Sequence, residues 1–409
     1  MIDIARDPRT TPVIVSAVRT PIGKFLGALS ALQAPDLGAI AIREAVARAG
    51  IAVEDVAEVI MGNVVQGGVG QAPARQAAVK AGLPVTVSAL TINKVCGSGL
   101  KAVMLAAQSV RAGDNQVLVA GGQESMSNAP YYIYGIRGGV KFGDQELVDG
   151  LIRDGLWCSF CDVHMGGHAE YTARKAGVTR QMQDEFAVNS HRKAVEAIKA
   201  GKFREEIVPV EIAGRKGSVT VDTDENPRED TTLEGLGKLR PAFAKDAPKE
   251  MTADQLSVTA GNASALNDGA SAVVVVSEQY ARDHDLTILA RVTGYSTGAV
   301  EPKELFFAPI QAVKNLMAKQ GTEIGDYDLI EANEAFAVQA LADGMGLGWD
   351  WDRVNVNGGA VALGHPIGAS GARVLTTLLH AMKDRDAETG LATLCLGGGD
   401  AVALSVERA

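Results

Sequence analysis

Three reactive side chains stand in glycine-rich segments of this 409-residue chain, and two of them are cysteines. Cys96 lies in Asn-Lys-Val-Cys-Gly-Ser-Gly, His365 in Gly-His-Pro-Ile-Gly-Ala-Ser-Gly, and Cys395 in Cys-Leu-Gly-Gly-Gly. A thiolate can hold an acyl group, and a second thiol with an imidazole can move the protons that bond formation to that group requires. The three residues therefore predict carbon–sulfur acyl chemistry.

Cys96 and His365 each precede a predicted helix. Strong helix formers follow Cys96 at 100–110, so its thiol is expected at a helix N-terminus, where unpaired N–H groups and the helix dipole stabilise a thiolate. His365 stands at a similar turn before a second apolar helix, from which its imidazole could deprotonate Cys96. The alternatives are an inert core cysteine and a structural histidine.

Two further features could stabilise negative charge on oxygen. Asn333 directly follows an apolar run and is expected at the end of a parallel strand, where its amide could polarise a carbonyl directly or through water. The alternative is an Asx turn or a helix cap. The backbone amides of Gly397–Gly399 could face an oxyanion. The alternative is a phosphate-binding loop, which the absence of a Gly-x-x-x-x-Gly-Lys-Ser/Thr pattern disfavours.

A fourth pattern contains Cys158, Cys161, His164 and His168, whose side chains are all of types that bind zinc. Only two residues separate Cys161 from His164, which is far fewer than in finger-like sites. We therefore expect no metal here, and we expect His164 to line a ligand cleft.

The segments that carry these residues repeat along the chain. Residues 56–63 resemble 326–333, and the segments beginning at Ser98 and Leu118 have similar counterparts beginning at Ser370 and Leu394. The matches keep one order, so they predict two similar halves that each contain strand, helix and strand. Parallel strands joined by helical crossovers meet this requirement.

Short apolar runs predict buried strands, and together with alanine-rich helices they predict an α/β fold. A helix is expected over 37–49, where Gly50 ends it. The strands are expected at 13–17, 117–120, 272–277, 391–396 and 401–406.

Between the halves, 125–255 is rich in charged and turn residues and is predicted to be a long insertion. It contains one clear helix at 182–199, with Phe186, Val195 and Ile198 expected to face the core. Long insertions often act as lids or binding loops, and the alternative is a solvated excursion.

Composition limits the partners. The net charge of −10 argues against nucleic acid or an anionic membrane as the main partner. Four cysteines in a chain of this length do not resemble a disulfide scaffold, so a cytoplasmic location is expected. We expect neither a leader peptide nor a membrane span, because no apolar segment has the required length.

These residues together resemble the thiolase family, in particular its acetyl-CoA acetyltransferase type, over almost the whole chain. The motifs that carry the resemblance are the three quoted above, Gly-Gly-Gln-Glu-Ser-Met-Ser-Asn-Ala-Pro130 and Asn333-Glu-Ala-Phe-Ala. The resemblance implies a thiolase fold with two similar βαβ-rich core halves, an inserted loop domain, and a homotetramer or homodimer. The expected parts are 1–124 with 256–284, the CoA-binding loop domain 125–255 that also makes oligomer contacts, and 285–409.

The resemblance also implies ping-pong chemistry. Cys96, activated by His365, would take an acyl group from a thioester and release CoA; Cys395 would then remove the α-proton of a second acetyl-CoA. Two oxyanion holes would consist of His365 with a water held by Asn333, and of the amides of Cys96 and Gly397. This route needs no metal and no permanently bound cofactor, since CoA and acetyl-CoA are substrates.

The sequence departs from the family pattern at Phe306 and Phe307 and at Asp400, and the resemblance also implies a set of CoA contacts. Glu304-Leu-Phe-Phe-Ala-Pro309 puts the bulk of Phe306 and Phe307 where many biosynthetic relatives have a Met-Gly-x-Gly-Pro run, and Asp400 replaces a residue that is usually uncharged. The implied CoA contacts are Arg228 near the adenine and phosphates, Ser264 near the pantetheine, and His164, Met165, Phe243 and Phe336 along the pantetheine channel.

Three functions remain open at this point. The first is reversible condensation of acetyl-CoA to acetoacetyl-CoA, or thiolysis of short 3-oxoacyl-CoA, in fatty acid metabolism; His164 and Met165 favour it. The second is a degradative thiolase for longer or modified acyl chains, which Phe306 and Phe307 leave open. The third is a non-catalytic protein that binds acyl-CoA or lipid, which the joint presence of the cysteines, histidine and asparagine disfavours.

Overall fold

A computed structural model describes residues 7–214 and 217–409, with these elements. The strands are β1 Pro12–Arg19, β2 Gly23–Lys24, β3 Glu58–Gly62, β4 Ser88–Ile92, β5 Val117–Ser125, β6 Tyr131–Tyr132, β7 Val148–Asp149, β8 Trp157–Cys158, β9 Val163–His164, β10 Val210–Gly214, β11 Gly217–Val221, β12 Asn267–Ser277, β13 Ala290–Ala299, β14 Leu329–Ala332, β15 Thr389–Leu396 and β16 Asp400–Arg408. The helices are α1 Ala34–Ala49, α2 Pro73–Lys80, α3 Ser98–Ala112, α4 Met165–Ala176, α5 Arg180–Lys199, α6 Leu233–Gly237, α7 Glu278–Asp283, α8 Ala308–Gln320, α9 Ala337–Leu347, α10 Ala360–Leu363 and α11 Ile367–Arg385.

One large sheet runs through the molecule in the order β14-β15-β16-β13-β1-β12-β5-β3-β4, with β2 paired to β12. At its centre β1 and β13 are antiparallel, with Val13 opposite Arg291. Outward from this pair, each side has two antiparallel pairings and then a parallel one: β1–β12–β5–β3 on one side and β13–β16–β15–β14 on the other. The sheet therefore repeats its strand order about the central pair, and the α/β fold class is confirmed.

The predicted strands correspond to β1, β5, β12, β15 and β16, and the structure extends each of them. β12 is buried along its whole length. Helices cover it on both sides, since α1 and α11 both pack against it, and a strand covered in this way is apolar at successive positions. The predicted helix over 37–49 is α1, which begins three residues earlier and ends at left-handed Gly50.

Helices α3 and α11 cross at the centre of the molecule because glycine lets their backbones approach closely. A Cβ at Gly99 would lie 2.6 Å from the backbone nitrogen of Ala372, and one at Gly371 would lie 2.3 Å from that of Leu100. Their apolar side chains share one buried cluster with strands of both halves. The two helices therefore pack tightly near their N-termini, so these N-termini lie close together.

The segment between β5 and β12 contains three short hairpins and helices α4, α5 and α6. Of the three residues predicted to face the core, Phe186 and Ile198 pack against buried hydrophobic clusters, although all three, Val195 included, are only half-buried. Helix α5 packs against α10, and a Cβ at Gly358 would lie 2.8 Å from Ala194 Cβ, so small and polar residues occupy the contact. The buried side consists of Gln183, Asp184, Ala187, Ser190, His191, Ala194 and Ala197.

Among the described residues, no helix combines the length and the apolar character needed to cross a bilayer. The proposed boundaries at 124, 255 and 284 remain predictions.

Candidate active site

A cavity of about 500 Å³ collects the predicted site residues from both halves and from the inserted segment. Asn333 is the exception, because it lies behind the cavity wall. The predicted residues that line the cavity are Cys96, His164, Met165, Arg228, Phe243, Ser264, Phe336, His365, Cys395 and Gly397.

Cys96 and His365 occupy equivalent places at their helices. The N-cap of α3 is Gly97 and that of α11 is Pro366, so each reactive residue comes one position before the cap. The turn before Cys96 is strained, because the β-branched Val95 has φ of 45°. Hydrogen bonds hold this turn: Ser98 Oγ accepts from Lys94 N at 2.8 Å and donates to Val95 O at 2.6 Å.

The surroundings of Cys96 disfavour an isolated thiolate. Burial raises the pKa of the Cys96 thiol to about 12, while backbone N–H groups of Cys96 and Gly397 act in the opposite direction by donating to its sulfur. These are the two amides predicted for an oxyanion hole. Their approach to the sulfur means that an oxygen bonded to an acyl carbon on Cys96 would lie near the same donors.

His365 is held as a neutral imidazole with a defined tautomer. Its Nδ1 lies 2.6 Å from Ser370 Oγ, and that hydroxyl donates to Pro366 O at 2.9 Å. Since the hydroxyl has one proton, it accepts from Nδ1–H, which leaves Nε2 as the basic nitrogen. Burial, and then Arg373, lower the pKa of His365 to about 3. The backbone nitrogen of His365 donates to Asn267 Oδ1 at 2.9 Å, which anchors the turn.

Asn333 follows β14 and is fully buried. Its Nδ2 lies 3.5 Å from both ring nitrogens of His365, so it is not directed at one lone pair. Its Oδ1 accepts from Arg373 Nη2 at 3.4 Å. The structure therefore brings Asn333 into contact with His365, but Asn333 does not line the cavity.

Cys395 is the penultimate residue of β15 and is buried. Burial raises the pKa of its thiol well above the usual value, and Cys96, which lines the same cavity, adds to the shift. The chain then turns through left-handed Gly398 and Gly399. A Cβ at Gly399 would lie 2.5 Å from Val300 O, so glycine is required for the turn that directs the Gly397 amide towards Cys96.

Aromatic rings form the apolar wall of the cavity. His164 stacks on Phe243 with ring centroids 4.9 Å apart, and Phe243 meets Phe336 edge-on at 6.0 Å. His164 is also the N-cap of α4, where its Nδ1 accepts from Gly166 N at 3.0 Å. Ser264 Oγ donates to Ala335 O at 2.9 Å. Exposed Arg228 stands at the rim, with its backbone nitrogen bonded to His191 Nδ1.

Phe306 and Phe307, which stand where many biosynthetic relatives have a Met-Gly-x-Gly-Pro run, occupy different positions. Phe306 lines the cavity and meets Phe336 edge-on at 5.2 Å. Phe307 is not among the cavity residues; its ring lies under Lys175 Nζ at 5.1 Å. The expectation of bulk near the acyl site therefore applies to Phe306 alone. Asp400, the other departure, forms an ion pair with Lys94 in the turn before Cys96.

The sequence reasoning missed three buried polar residues that support the site. Glu124 accepts hydrogen bonds from the backbone of Val64, Val65 and Gly368, and so ties a loop to the start of α11. Glu124 stands in the Gly-Gly-Gln-Glu motif quoted for the resemblance, and that motif could have indicated its importance. Ser370 stands in the His365 motif. Arg373, 3.6 Å from Glu331, had no signal beyond its place one helical turn later.

Comparison with known proteins agrees with this geometry. The family model described as "Thiolase, N-terminal domain" matches 12–279, and "Thiolase, C-terminal domain" matches 286–408. The chain belongs to the thiolase family.

Named relatives of this thiolase are similar over nearly their whole length. An acetyl-CoA acetyltransferase of Pseudomonas aeruginosa is 55% identical, covering 97% of this chain and 99% of the relative. An acetyl-CoA acetyltransferase of Cupriavidus necator is also 55% identical, covering 98% of this chain and 100% of the relative. The crystal structure of the Bacillus anthracis acetyl-CoA acetyltransferase has a TM-score of 0.93 at 42% identity and covers 98% of this thiolase and 99% of that chain. The thiolase fold is thereby confirmed.

Proposed function

We propose that this thiolase condenses two molecules of acetyl-CoA to acetoacetyl-CoA and CoA, and catalyses the reverse thiolysis. The observation that carries the proposal is that Cys96, His365, Cys395 and Gly397 line one cavity. The names of the most similar relatives support acetyl-CoA as the substrate.

In the first half-reaction, Cys96 Sγ attacks the thioester carbonyl and its proton passes to His365 Nε2. Neither an isolated thiolate nor an isolated imidazolium is favoured here, but proton transfer creates both charges together, so each stabilises the other. The amides of Cys96 and Gly397 stabilise the tetrahedral oxyanion. The carbon–sulfur bond to CoA then breaks, and the imidazolium returns the proton to the departing thiolate.

In the second half-reaction, the Cys395 thiol first passes its proton to His365 Nε2, and the resulting thiolate removes an α-proton from a second acetyl-CoA. The enolate oxygen is stabilised by the N–H of His365; Asn333, which lies behind the ring and outside the cavity lining, would reach that oxygen through a water. The enolate carbon attacks the acetyl group on Cys96, and the new carbon–carbon bond replaces the bond to sulfur. The Cys96 thiolate leaves and takes the proton of the His365 imidazolium, while Cys395 keeps the α-proton, so both thiols and the neutral imidazole are restored.

The proposed ligand contacts divide the cavity into two parts. Arg228, at the exposed rim, meets the nucleotide end of CoA. Ser264, His164, Met165, Phe243 and Phe336 line the pantetheine channel. Phe306 narrows the end of the cavity beyond Phe336, which favours the short-chain reaction over the degradative thiolase for longer acyl chains.

The wider setting is also a proposal. We infer a cytoplasmic homo-oligomer, a tetramer or a dimer, that acts in fatty acid metabolism on acyl-CoA without a permanently bound cofactor. Segment 125–255 would supply CoA and oligomer contacts. Its exposed apolar side chains support the latter, because contiguous apolar surface commonly marks an interface. They include Tyr131, Ile133, Tyr134, Ile136, Val140 and Phe142.

Two measurements test the function. Rapid acid quenching after incubation with radiolabelled acetyl-CoA should trap labelled protein and show release of CoA, and Cys96→Ser should abolish both. The matched control Cys395→Ala should keep the label, because it retains the nucleophile. Formation of acetoacetyl-CoA should then be followed directly. A wild-type protein that acylates but forms no carbon–carbon bond, or that turns over only long 3-oxoacyl-CoA, would contradict the proposal.

A further inference from the structure

Three metal-ligating side chains come together outside the catalytic set. In the described part of the chain, the ligand atoms of Cys158, Cys161 and His168 all lie within 4.8 Å of one another. Spacing along the sequence argued against a metal because it paired the cysteines with His164. That histidine instead faces the acyl-CoA cavity, and His168, one helical turn later, meets the sulfurs.

The two cysteines belong to a tight turn that joins β8 to β9. Cys158 pairs with Val163, and Asp162 N donates to Cys158 O at 2.8 Å. Asp162 has φ of 55°, which reverses the chain directly after Cys161. The turn brings the two sulfur atoms within 4.8 Å of each other, and neither is in a disulfide.

His168 is oriented as a ligand. It is 3% exposed, and its Nε2 has no hydrogen-bond partner among the described residues. The backbone of Lys303 acts on the ring so as to raise the pKa of His168, as a carbonyl oxygen near a ring N–H does, and Nε2 is the ring nitrogen that is buried without a partner. Metal-binding histidines are commonly fixed in this way, with one ring nitrogen on a carbonyl and the other on the metal.

A disulfide between the cysteines would explain the thiol contact but not the histidine, because His168 Nε2 would stay buried and unpaired. A thiophilic divalent cation satisfies all three groups. From this geometry we propose that Cys158, Cys161 and His168 bind one Zn²⁺ ion through two thiolates and Nε2, with water in the fourth tetrahedral position. Binding converts two thiols to thiolates and releases two protons.

The site would brace elements that surround the substrate. Phe160 lies between the two cysteines, and a Cβ at Gly398 would be 3.4 Å from its ring. A second cavity, of about 560 Å³, is lined by Cys158 and Phe160 and shares Val95 and Gly397 with the acyl-CoA cavity. Zinc would thus fix the hairpin against the glycine loop that follows Cys395. This role is structural, since no ligand residue lines the acyl-CoA cavity.

Cobalt is a suitable probe because thiolate coordination gives it a charge-transfer band. The full chain carrying Cys96→Ser and Cys395→Ser retains only the two proposed thiol ligands, so the catalytic cysteines cannot contribute. Anaerobic Co²⁺ titration should reach one ion per chain with this band. Adding Cys158→Ser or Cys161→Ser should abolish it, and His168→Asn should weaken binding at least about tenfold. The matched control His164→Asn should bind as the background does.

A second measurement needs no change at the cluster and separates ligand loss from misfolding. In the same background, Zn²⁺ should protect both thiols from alkylation, and removing it with a chelator should restore their reactivity. Absence of the cobalt band, a band that survives loss of either cysteine, equal effects of the two histidine substitutions, or alkylation at the same rate with and without zinc would overturn the assignment. These outcomes do not depend on condensation activity.

Discussion

Ser370 Oγ lies 2.6 Å from His365 Nδ1 and donates its own proton to Pro366 O, so the serine decides which ring nitrogen is the base. The pair joins a residue just before α11 to one in its first turn. The imidazole is therefore oriented by the helix that it precedes. This relationship makes Ser370 a positioning residue that acts on the reaction through His365.

Ser370→Ala should lower the acylation rate about five- to tenfold, because loss of one neutral hydrogen bond, about 1 kcal/mol, frees the tautomer. The loss should appear in kcat and leave KM for acetyl-CoA nearly unchanged, which single-turnover kinetics can resolve. Ser370→Cys, which keeps a weak acceptor, should recover part of the rate. A change in thermal stability without a change in kcat would instead indicate a purely structural serine.

Cys395→Ser should still form the acetyl-enzyme but fail to exchange the α-protons of acetyl-CoA with deuterium. The hydroxyl that replaces the thiol is far less acidic, whereas Cys96 and His365 stay intact. Mass spectrometry of acetyl-CoA recovered from D₂O measures the exchange. Exchange at the wild-type rate would exclude Cys395 as the base.

The acylation rate should be nearly independent of pH from about pH 8 down to about pH 5, because burial keeps the pKa of His365 near 3 and the base stays neutral. An ordinary histidine would lose basicity over this range. Acetyl-pantetheine is the appropriate substrate, since it lacks the titrating phosphates of CoA. A decline centred near the ordinary histidine pKa would contradict the buried, neutral imidazole.

The same shift gives a prediction for stability. The folded state binds fewer protons at His365 than the unfolded state between the lowered pKa of about 3 and the ordinary 6.5, so this contribution to stability falls as pH falls through that window. His365→Asn should therefore unfold with a smaller pH dependence over the window than the wild type. Parallel curves for the two proteins would show that the imidazole is solvated.

Phe306→Leu should raise kcat/KM for 3-oxohexanoyl-CoA relative to acetoacetyl-CoA by about tenfold, because it removes bulk from the wall beside Phe336. Phe307→Leu is the matched control: its ring lies under Lys175, outside the cavity residues, so the ratio should not change. Equal effects of the two substitutions would mean that neither ring sets chain length directly.

Arg228→Ala should raise KM for acetyl-CoA about fivefold with little loss of kcat, as expected for a contact present in both ground and transition states. Arg228→Lys should recover most of the affinity through charge. KM for acetyl-pantetheine, which has no nucleotide, should be the same in all three proteins. A rise with that truncated substrate would place the contact elsewhere.

Features that depend on neighbouring residues could be predicted from the sequence. The apolar runs of β12 and β15 predicted strands because strands covered on both sides leave few polar positions. The glycine-rich turns before α3 and α11 placed Cys96 and His365 at helix starts, and the repeated motifs predicted two halves. The functional roles of these residues, inferred from their chemistry and from the resemblance, stay predictions.

Features that depend on residues distant in the chain required the fold. Phe306 and Phe307 are adjacent in sequence, yet only one lines the cavity, because packing against α4 and α9 sets their directions. Asn333 lies behind the His365 ring because β14 ends at Ala332, which places the next residue beside that ring.

The chain alone determined its strands, its helix starts and its reactive side chains, since apolar periodicity and turn residues act over a few positions. Tertiary packing decided which nitrogen of His365 is basic and whether His164 or His168 meets the cysteine pair. Those outcomes depend on which atoms of different helices and strands lie within a few ångströms of each other. The number of residues between two elements does not determine that distance.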